Sequence, residues 1–272
     1  MKTKETGKEN LLILSDFNTD ILCGLLNNDD WSPSINAVGS GYGQAIPLLL
    51  KKEDSIWEQA QMTLVWTRPE ATSETFARAK QMEDVDHHKA IQEVDLFCDA
   101  ILNAGTRVAT ILVPTWRLTH DARGYGMLDL QDGLGIRALL RQMNQRLSQR
   151  ISGQEGVYLL DSNRWFSSKE SESPKMWYLA KVPFSQDVFK LAIGDLKAAL
   201  RGIRGEARKI VICDLDDTLW GGILGETGWE NLCLGGHDPM GEALVDFQTE
   251  LKALTRRGIV LGIVSKNTEE AA

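Results

Sequence analysis

The 272-residue sequence has no excess of positive charge: 30 Lys and Arg residues stand against 38 Asp and Glu residues, a formal net charge of −8. Binding sites for nucleic acid or anionic lipid need the opposite balance. Long apolar runs are also missing, and none approaches the roughly 20 residues of a membrane-spanning helix. Only Leu11–Leu14 follow the charged N-terminus, which is too short for the core of a signal peptide. We therefore expect a cytoplasmic protein without a nucleic-acid or membrane partner.

Cysteine is sparse, and the four cysteines are too far apart in sequence to form a CxxC pair. This spacing does not favour a disulfide framework or a zinc site, and it suits a reducing compartment. Hydrophobic residues make up 43% of the chain and charged residues 25%, as in ordinary globular proteins. The length is that of roughly two domains.

Short apolar segments alternate with segments of helical periodicity, a pattern typical of α/β proteins with mostly parallel sheets. The clearest interruption is RGIRGEARK at residues 201–209, and it predicts a domain boundary between residues 205 and 206. One long helix is expected from about Ser73 to Asn103, and a loop from Ser162 to Lys175. Strands are predicted at residues 11–15, 35–40, 62–66, 107–114, 156–161, 210–214 and 259–265.

Paired carboxylates follow the predicted strand at residues 210–214. In an extended segment, residues two apart point to the same side, so Asp214 and Asp216 are expected close together. Two carboxylates about 4 Å apart repel by about 4 kcal/mol at an effective dielectric of 20, unless a cation or a proton intervenes. The alternative is an ordinary turn in which Asp217 and Thr218 cap backbone groups. Open α/β sheets bind ligands at the carboxyl ends of their strands, and this position favours the functional interpretation.

The segment VICDLDDTLW resembles motif I of the haloacid dehalogenase (HAD) superfamily, and IVLGIVSKN resembles its motif II. DLDDTLWGGILGE, the helical segment DPMGEALVDFQTELKAL and the SKN after the second strand resemble the FkbH-like family, of HAD subfamily IIIC. The resemblance covers about residues 209–272. It implies the first part of a capless HAD Rossmann-like domain, over residues 206–272, carrying motifs I and II only.

This resemblance implies roles for the acidic residues. Asp214 would be the nucleophile that forms an aspartyl-phosphate. Its second oxygen and the backbone carbonyl of Asp216 would hold Mg²⁺. The Asp216 side chain would be the general acid and base, and Thr218 would fix the turn.

The same resemblance implies phosphate-binding residues after the second strand. Ser265 would donate a hydrogen bond to a phosphate oxygen, or cap the helix expected at Thr268, or both. Lys266 and Asn267 would contact substrate anions, although such a lysine is more often simply solvated.

FkbH-like proteins load a glyceryl unit from 1,3-bisphosphoglycerate onto an acyl-carrier protein, in polyketide or surface-glycan assembly, or are described as phosphatases. Between Asp214 and Ser265 the sequence leaves room for a glycine-rich hairpin and one helix, not for a cap domain, which favours a macromolecular acceptor. The superfamily also uses a downstream Lys and a later acidic pair that these residues do not include. We therefore expect a C-terminally truncated fragment, inactive by itself.

Residues 1–205 resemble the SGNH-hydrolase fold, a flavodoxin-like three-layer sheet that precedes the HAD domain in FkbH-like proteins. Active members carry a nucleophilic Ser after the first strand, but here Phe17 takes that position, and Ser15, a possible nucleophile, lies two residues earlier. Thr67 and Arg68 stand where an oxyanion-hole Asn is expected, and the usual Asp-x-x-His pair is missing. We predict a degenerate domain without esterase activity.

The leading functional hypothesis is Mg²⁺-dependent transfer chemistry on a phosphorylated three-carbon substrate, with an acyl-carrier protein as partner. Two alternatives remain open. The protein is a plain HAD phosphatase, or its N-terminal domain is a platform that binds a partner.

Overall fold

The computed structural model describes residues 8–51, 55–120, 122–166, 169–236 and 238–266. The chain divides into two compact units, Met1–Arg201 and Gly202–Ala272.

Strands and helices alternate along the chain. The strands are β1 (Glu9–Ser15), β2 (Ile35–Gly39), β3 (Met62–Trp66), β4 (Thr110–Pro114), β5 (Val157–Leu160), β6 (Ile210–Cys213) and β7 (Val260–Ile263). The helices are α1 (Asp20–Asn27), α2 (Ala45–Leu50), α3 (Pro69–Thr72), α4 (Glu74–Lys80), α5 (His87–Ala104), α6 (Ile136–Ile151), α7 (Pro174–Ala180), α8 (Gln186–Ile203), α9 (Leu224–Thr227) and α10 (Pro239–Thr255). Within the described ranges, every helix is too short or too polar to cross a membrane.

The first unit is built on a five-stranded sheet in the order β2-β1-β3-β4-β5. All its pairs are parallel, with Leu11 of β1 opposite both Ala37 of β2 and Met62 of β3. This is the flavodoxin-like order of a doubly wound sheet. The expected α/β class is confirmed, because parallel strands need helical crossovers that cover both faces.

The two faces of this sheet bury two separate apolar clusters. Successive side chains of a strand point to opposite faces. Leu12 and Leu14 of β1 therefore pack in the cluster under α5 and α6, while Leu11 and Ile13 pack in the cluster under α1 and α8. All four are at most 3% exposed. The result is three layers: helices, sheet, helices.

Two local expectations are wrong. The helix predicted from Ser73 to Asn103 is two helices, α4 and α5, because Met82 takes a left-handed conformation with φ of 63° and the chain turns. Each piece has its own N-cap: Ser73 accepts from the Phe76 amide, and Asp86 from the His88 amide. The expected loop at residues 162–175 contains 3₁₀ turns at Ser162–Trp165 and Lys169–Ser171, and α7 follows at Pro174.

The second unit contains a two-stranded parallel sheet, β6 and β7, and the helix α10, which precedes β7 in the chain. Helix α10 begins with a capped first turn: Asp238 accepts a hydrogen bond from the Gly241 amide, and Pro239 is the first helical residue. Ile210, Ile212 and Val260 are each 59–64% exposed, so one face of this small sheet is open to solvent.

We expect the backbone amides of β6 and β7 to exchange with solvent at least about tenfold faster than those of β1 and β3. The strands of the second unit bury little apolar surface, whereas β1 and β3 are covered on both faces. Hydrogen exchange followed by mass spectrometry measures this. Equal protection of the two sheets would contradict the expectation.

Candidate functional site

The register of β6 and β7 places the ends of the two strands side by side. Cys213 is opposite Ile263, and the Val264 amide donates to the Cys213 carbonyl at 3.0 Å. Asp214 and Ser265, which follow directly, therefore leave the sheet at the same edge. Parallel pairing thus brings together the two motifs identified in the sequence.

A tight turn carries Asp214. Its Oδ1 accepts a hydrogen bond from the Leu215 amide at 2.8 Å, and the carboxylate is exposed to solvent. The Leu215 side chain points the other way and is only 5% exposed. The amides of Thr218 and Leu219 both donate to the Leu215 carbonyl, at 3.2 and 2.9 Å. The buried leucine thus anchors the turn, while the neighbouring carboxylate stays accessible.

Asp216 is half-buried and holds the segment that follows. Its Oδ1 accepts hydrogen bonds from Trp220 Nε1 and from the Leu224 amide, both at 3.1 Å. This contact of Asp216 with Trp220 was not predicted from the sequence.

The glycine-rich segment after the turn is a hairpin, as predicted. Gly221 and Cys233 exchange two backbone hydrogen bonds of 2.9 and 2.8 Å. Asp217 has a left-handed backbone with φ of 52°, and its carboxylate accepts from the Gly222 amide at 2.7 Å. Gly222 itself has φ of 102°, which a residue with a side chain adopts only with strain. The hairpin therefore begins directly beside the acidic turn.

Helix α10 supports the turn and the hairpin from one side. Gln248 Nε2 donates to the Leu219 carbonyl at 2.6 Å. Cys233 Sγ lies 2.6 Å from Asp238 Oδ2, the N-cap carboxylate of the helix. This hydrogen bond raises the pKa of the Cys233 thiol and lowers that of the Asp238 carboxyl. Cys233 is therefore held as a protonated thiol and is a poor nucleophile.

The remaining predicted site residues lie at the same edge, as far as they are described. Thr218 is half-buried within the turn, Ser265 is half-buried after β7, and Lys266 is exposed. Asn267 and the helix expected at Thr268 lie outside the described residues. The assigned roles of these residues stay predictions.

The metal prediction rests on the chemistry of the donor atoms. Carboxylate and carbonyl oxygens suit Mg²⁺, and the second carboxylate oxygen of Asp214 accepts no hydrogen bond from any described residue. Asp216 contributes one oxygen to the hairpin, as described above. Within residues 8–266, gaps aside, no three His, Cys, Asp or Glu side chains cluster as a complete metal site. The residues present fit part of a magnesium site.

The carboxyl edge of the larger sheet is closed by aromatic side chains. Phe17 is fully buried and contacts Trp66, Phe184 and Phe189 at ring-centroid distances of 5.5, 5.4 and 6.5 Å. Ser15 is also buried, and its Oγ accepts from the Phe17 amide at 3.1 Å. The only hydroxyl group of this pair, that of Ser15, is therefore not accessible to a substrate.

An ion pair fills the rest of this edge. Both carboxylate oxygens of Asp16 are bound by Arg68, one by its amide at 2.8 Å and one by Nε at 2.7 Å. Burial raises the pKa of the Asp16 carboxyl, and the attraction of Arg68 only partly opposes this. The Arg68 guanidinium also lies 3.8 Å from the centre of the Trp177 ring. The hydroxyl of Thr67, in the predicted oxyanion position, accepts from Trp116 Nε1. The cavity left here has a volume of only about 20 Å³.

Comparison with solved structures finds chains of similar fold. The N-terminal part of the protein BF1531 from Bacteroides fragilis, containing a phosphatase domain and crystallised in complex with Mg, is similar with a TM-score of 0.83. The two chains are 19% identical, and the similarity covers 100% of this chain and 72% of that one. At this level of identity the similarity establishes a shared fold.

A catalytic mutant of an acetylxylan esterase from Geobacillus stearothermophilus also matches, over 71% of this chain and 94% of its own. Its TM-score is 0.45 and its identity 16%, too low to support an argument. No protein-family model matches the chain, and no curated protein is similar to it in sequence.

We expect the substitution Phe17→Ser to destabilise the first unit by about 3–5 kcal/mol without creating an esterase. It opens a cavity among Trp66, Phe184 and Phe189, while base and oxyanion donor are still missing. Urea unfolding and hydrolysis of p-nitrophenyl acetate measure the two effects. The control is Tyr178→Ser, at a side chain 79% exposed in the same unit. Esterase activity in the Phe17 variant alone would show that this edge retains a catalytic site.

Proposed function

We propose that the protein carries out Mg²⁺-dependent phosphoryl chemistry of the HAD type, with Asp214 as nucleophile and Asp216 as general acid and base. The observation that supports this most directly is the position of Asp214. It is an exposed carboxylate at the carboxyl end of a parallel strand, on a turn anchored by a buried leucine, beside the strand end that carries Ser265. Ligands of open α/β sheets bind at such an edge.

In the proposed first step, a carboxylate oxygen of Asp214 attacks the phosphorus atom of the substrate. A bond forms between that oxygen and phosphorus, and the bond from phosphorus to the leaving oxygen breaks. The Asp216 carboxyl donates its proton to the leaving oxygen. Its contact with the Leu224 amide and Trp220 orients the carboxyl group during this step.

In the second step, Asp216 takes a proton from water or from another acceptor, whose oxygen attacks the aspartyl-phosphate. The bond from Asp214 to phosphorus breaks, and the carboxylate is restored. The Asp214 carboxylate and the backbone carbonyl of Asp216 would hold Mg²⁺, which would supply positive charge to the phosphoryl oxygens. Ser265 donates a hydrogen bond to one of these oxygens.

The similarity in fold to a phosphatase domain crystallised with Mg supports phosphoryl chemistry of this general kind. The finer proposal is transfer of a glyceryl unit from 1,3-bisphosphoglycerate to an acyl-carrier protein, and it rests on the resemblance of residues 209–272 to the FkbH-like family. The carrier thiol attacks the acyl carbon, a carbon–sulfur bond forms, the bond from that carbon to the phosphate oxygen breaks, and phosphate leaves with the thiol proton. The remaining 3-phosphate group is removed by the two steps at Asp214. Plain phosphatase activity is the alternative favoured by the same structural similarity.

An open site supports a macromolecular acceptor. The described chain between β6 and β7 consists of the hairpin with α9, a 3₁₀ turn at Trp229–Asn231, and α10. These elements leave Asp214 exposed. A carrier protein needs such access for the end of its attached group.

We expect Asp214→Asn in the complete product of the gene to abolish Mg²⁺-dependent phosphate release, because the amide is a poor nucleophile and a weaker metal ligand. Asp216→Asn should lower the rate by about 10²–10⁴-fold. The amide oxygen at position 216 still accepts from Trp220 and Leu224, so the hairpin keeps its contacts. Phosphate release from acetyl phosphate and titration calorimetry with Mg²⁺ measure both effects.

The matched control is Asp246→Asn, an exposed position on α10. It removes the same charge and should leave phosphate release unchanged. Full activity in the Asp214 variant would refute the proposed nucleophile.

Transfer and hydrolysis are distinguished by the mass of the carrier. With 1,3-bisphosphoglycerate and an acyl-carrier protein bearing its thiol arm, transfer predicts a carrier whose intact mass rises by one glyceryl unit. Hydrolysis predicts free phosphate and an unchanged carrier. Intact-protein mass spectrometry and a phosphate assay on the same sample measure both outcomes. Free phosphate with an unchanged carrier mass would contradict transfer and support the phosphatase alternative.

A further inference from the structure

The first unit contains an open groove between α1 and α8. Its cavity volume is about 680 Å³, within the range of small-molecule sites. Ile21 and Leu25 of α1 and Ile193 of α8 provide its apolar surface. The three-layer fold does not require this opening. The residues that line it therefore need a physical explanation of their own.

Each wall of the groove carries a helical glycine that has no packing role. Gly24 lies within α1 and Gly194 within α8, and an added Cβ at either position would meet no atom within 4 Å. Neither has a positive φ. A glycine inside a helix is destabilising relative to alanine, and here neither steric crowding nor backbone conformation requires one. Their effect is to keep side chains out of the groove.

The rim of the groove is fixed by α8. The buried Lys197 ammonium lies 2.7 Å from Asp29 Oδ2 and donates to the Trp31 carbonyl at 2.5 Å. Arg201 Nη1 donates to the Ser32 carbonyl at 2.6 Å. These contacts hold the loop after α1, yet the Trp31 ring is 75% exposed beside the groove. A large apolar side chain on a restrained loop is suited to contact a ligand with little loss of entropy.

The charge of the groove is opposite to that of the whole protein. Lys190, Lys197 and Arg201 line it, whereas its acidic lining residue is Asp29, already paired with Lys197. Lys190 also pairs with Asp187 at 3.2 Å, but both side chains are exposed and such pairs contribute little. The chain as a whole carries −8. A local excess of cations on an acidic protein favours an anionic ligand.

We propose that this groove binds a small amphipathic anion, an aliphatic chain that ends in a phosphate or carboxylate group. The chain lies on Ile21, Leu25 and Ile193, in the space left by the two glycines. The anionic group binds at Arg201, whose planar guanidinium has further N–H donors beyond the one used by Ser32. The proposal concerns this groove alone, and does not depend on the chemistry proposed at Asp214.

The spacing along α8 supports this placement. Lys190, Gly194, Lys197 and Arg201 recur at intervals of four, three and four residues, so they share one face of the helix. From Lys190 to Arg201 the helix rises by about 16 Å at 1.5 Å per residue. The groove is therefore long enough for an extended aliphatic chain, and the protein places a cationic side chain at each end of it, Lys190 and Arg201.

The test uses monomeric decyl phosphate and decanoate as probes. Decyltrimethylammonium has the opposite charge with the same tail, and inorganic phosphate is the head group without a tail. Titration calorimetry should show the two amphipathic anions binding at least about tenfold more tightly than either comparison compound. The stronger of the two anions identifies the head group. Arg201→Gln should weaken binding about tenfold or more, and Arg201→Lys should weaken it less, since it keeps the charge.

The decisive pair of variants is Gly194→Leu and Gly202→Leu. Both glycines lie in α8 with open space around them, but only Gly194 lines the groove. Leucine favours helix over glycine, so neither variant should lower the melting temperature. We expect Gly194→Leu to abolish binding and Gly202→Leu to leave it unchanged.

Three results would overturn the proposal. The first is equal binding by the two leucine variants, the second is binding of the cationic probe as tight as that of the anions, and the third is no binding of either anion to the unmodified protein. Hydroxyl-radical footprinting of Trp31 provides a fourth criterion. Protection of its ring in the free protein would mean that another part of the chain, or a second copy, already covers the groove.

Discussion

Parallel pairing of strands is the constraint on which both units depend. Such strands run in one direction, so the residues that follow them leave the sheet at a common edge. In the first unit this edge receives Asp16 and Phe17 after β1, and Arg68 after β3. In the second it receives Asp214 after β6 and Ser265 after β7. The chemistry available at each edge follows from which side chains the sequence places there.

The carboxyl edges of the two parallel sheets differ: that of the larger sheet is filled by side chains, and that of the smaller sheet exposes a carboxylate. Phe17 turns inward and packs against Trp66, and the Asp16 carboxylate is neutralised by Arg68, so the edge of the larger sheet is filled. At the smaller sheet, it is Leu215 that turns inward, and Asp214 stays in contact with water. The buried Phe17 side chain thus closes the edge of the larger sheet. The buried Leu215 side chain anchors a turn that exposes the Asp214 carboxylate at the edge of the smaller sheet.

Much of this arrangement could be predicted from the residues. The apolar segments that became β1 to β7 were identifiable because buried parallel strands are continuously hydrophobic, and α10 because Asp238 and Pro239 mark a helix start. The break between α4 and α5 was not predicted, because the polar residues around Met82 fit a helix locally. Its left-handed backbone, with φ of 63°, is seen only in the folded chain. The bonds from Asp216 to Trp220 and Leu224 were also missed, since they require the folded hairpin.

The sequence by itself determined the α/β class, the acidic turn after β6 and the replacement of a hydroxyl by Phe17, because each depends on residue types within a short stretch of chain. Only the tertiary structure decided that Asp16 pairs with Arg68, 52 residues away, and that Lys197 reaches Asp29 across 168 residues. The groove between α1 and α8 is also a feature that only the tertiary structure decided. The physical reason is that such contacts depend on which helix packs beside which on the sheet, and local hydrophobic periodicity does not encode that choice.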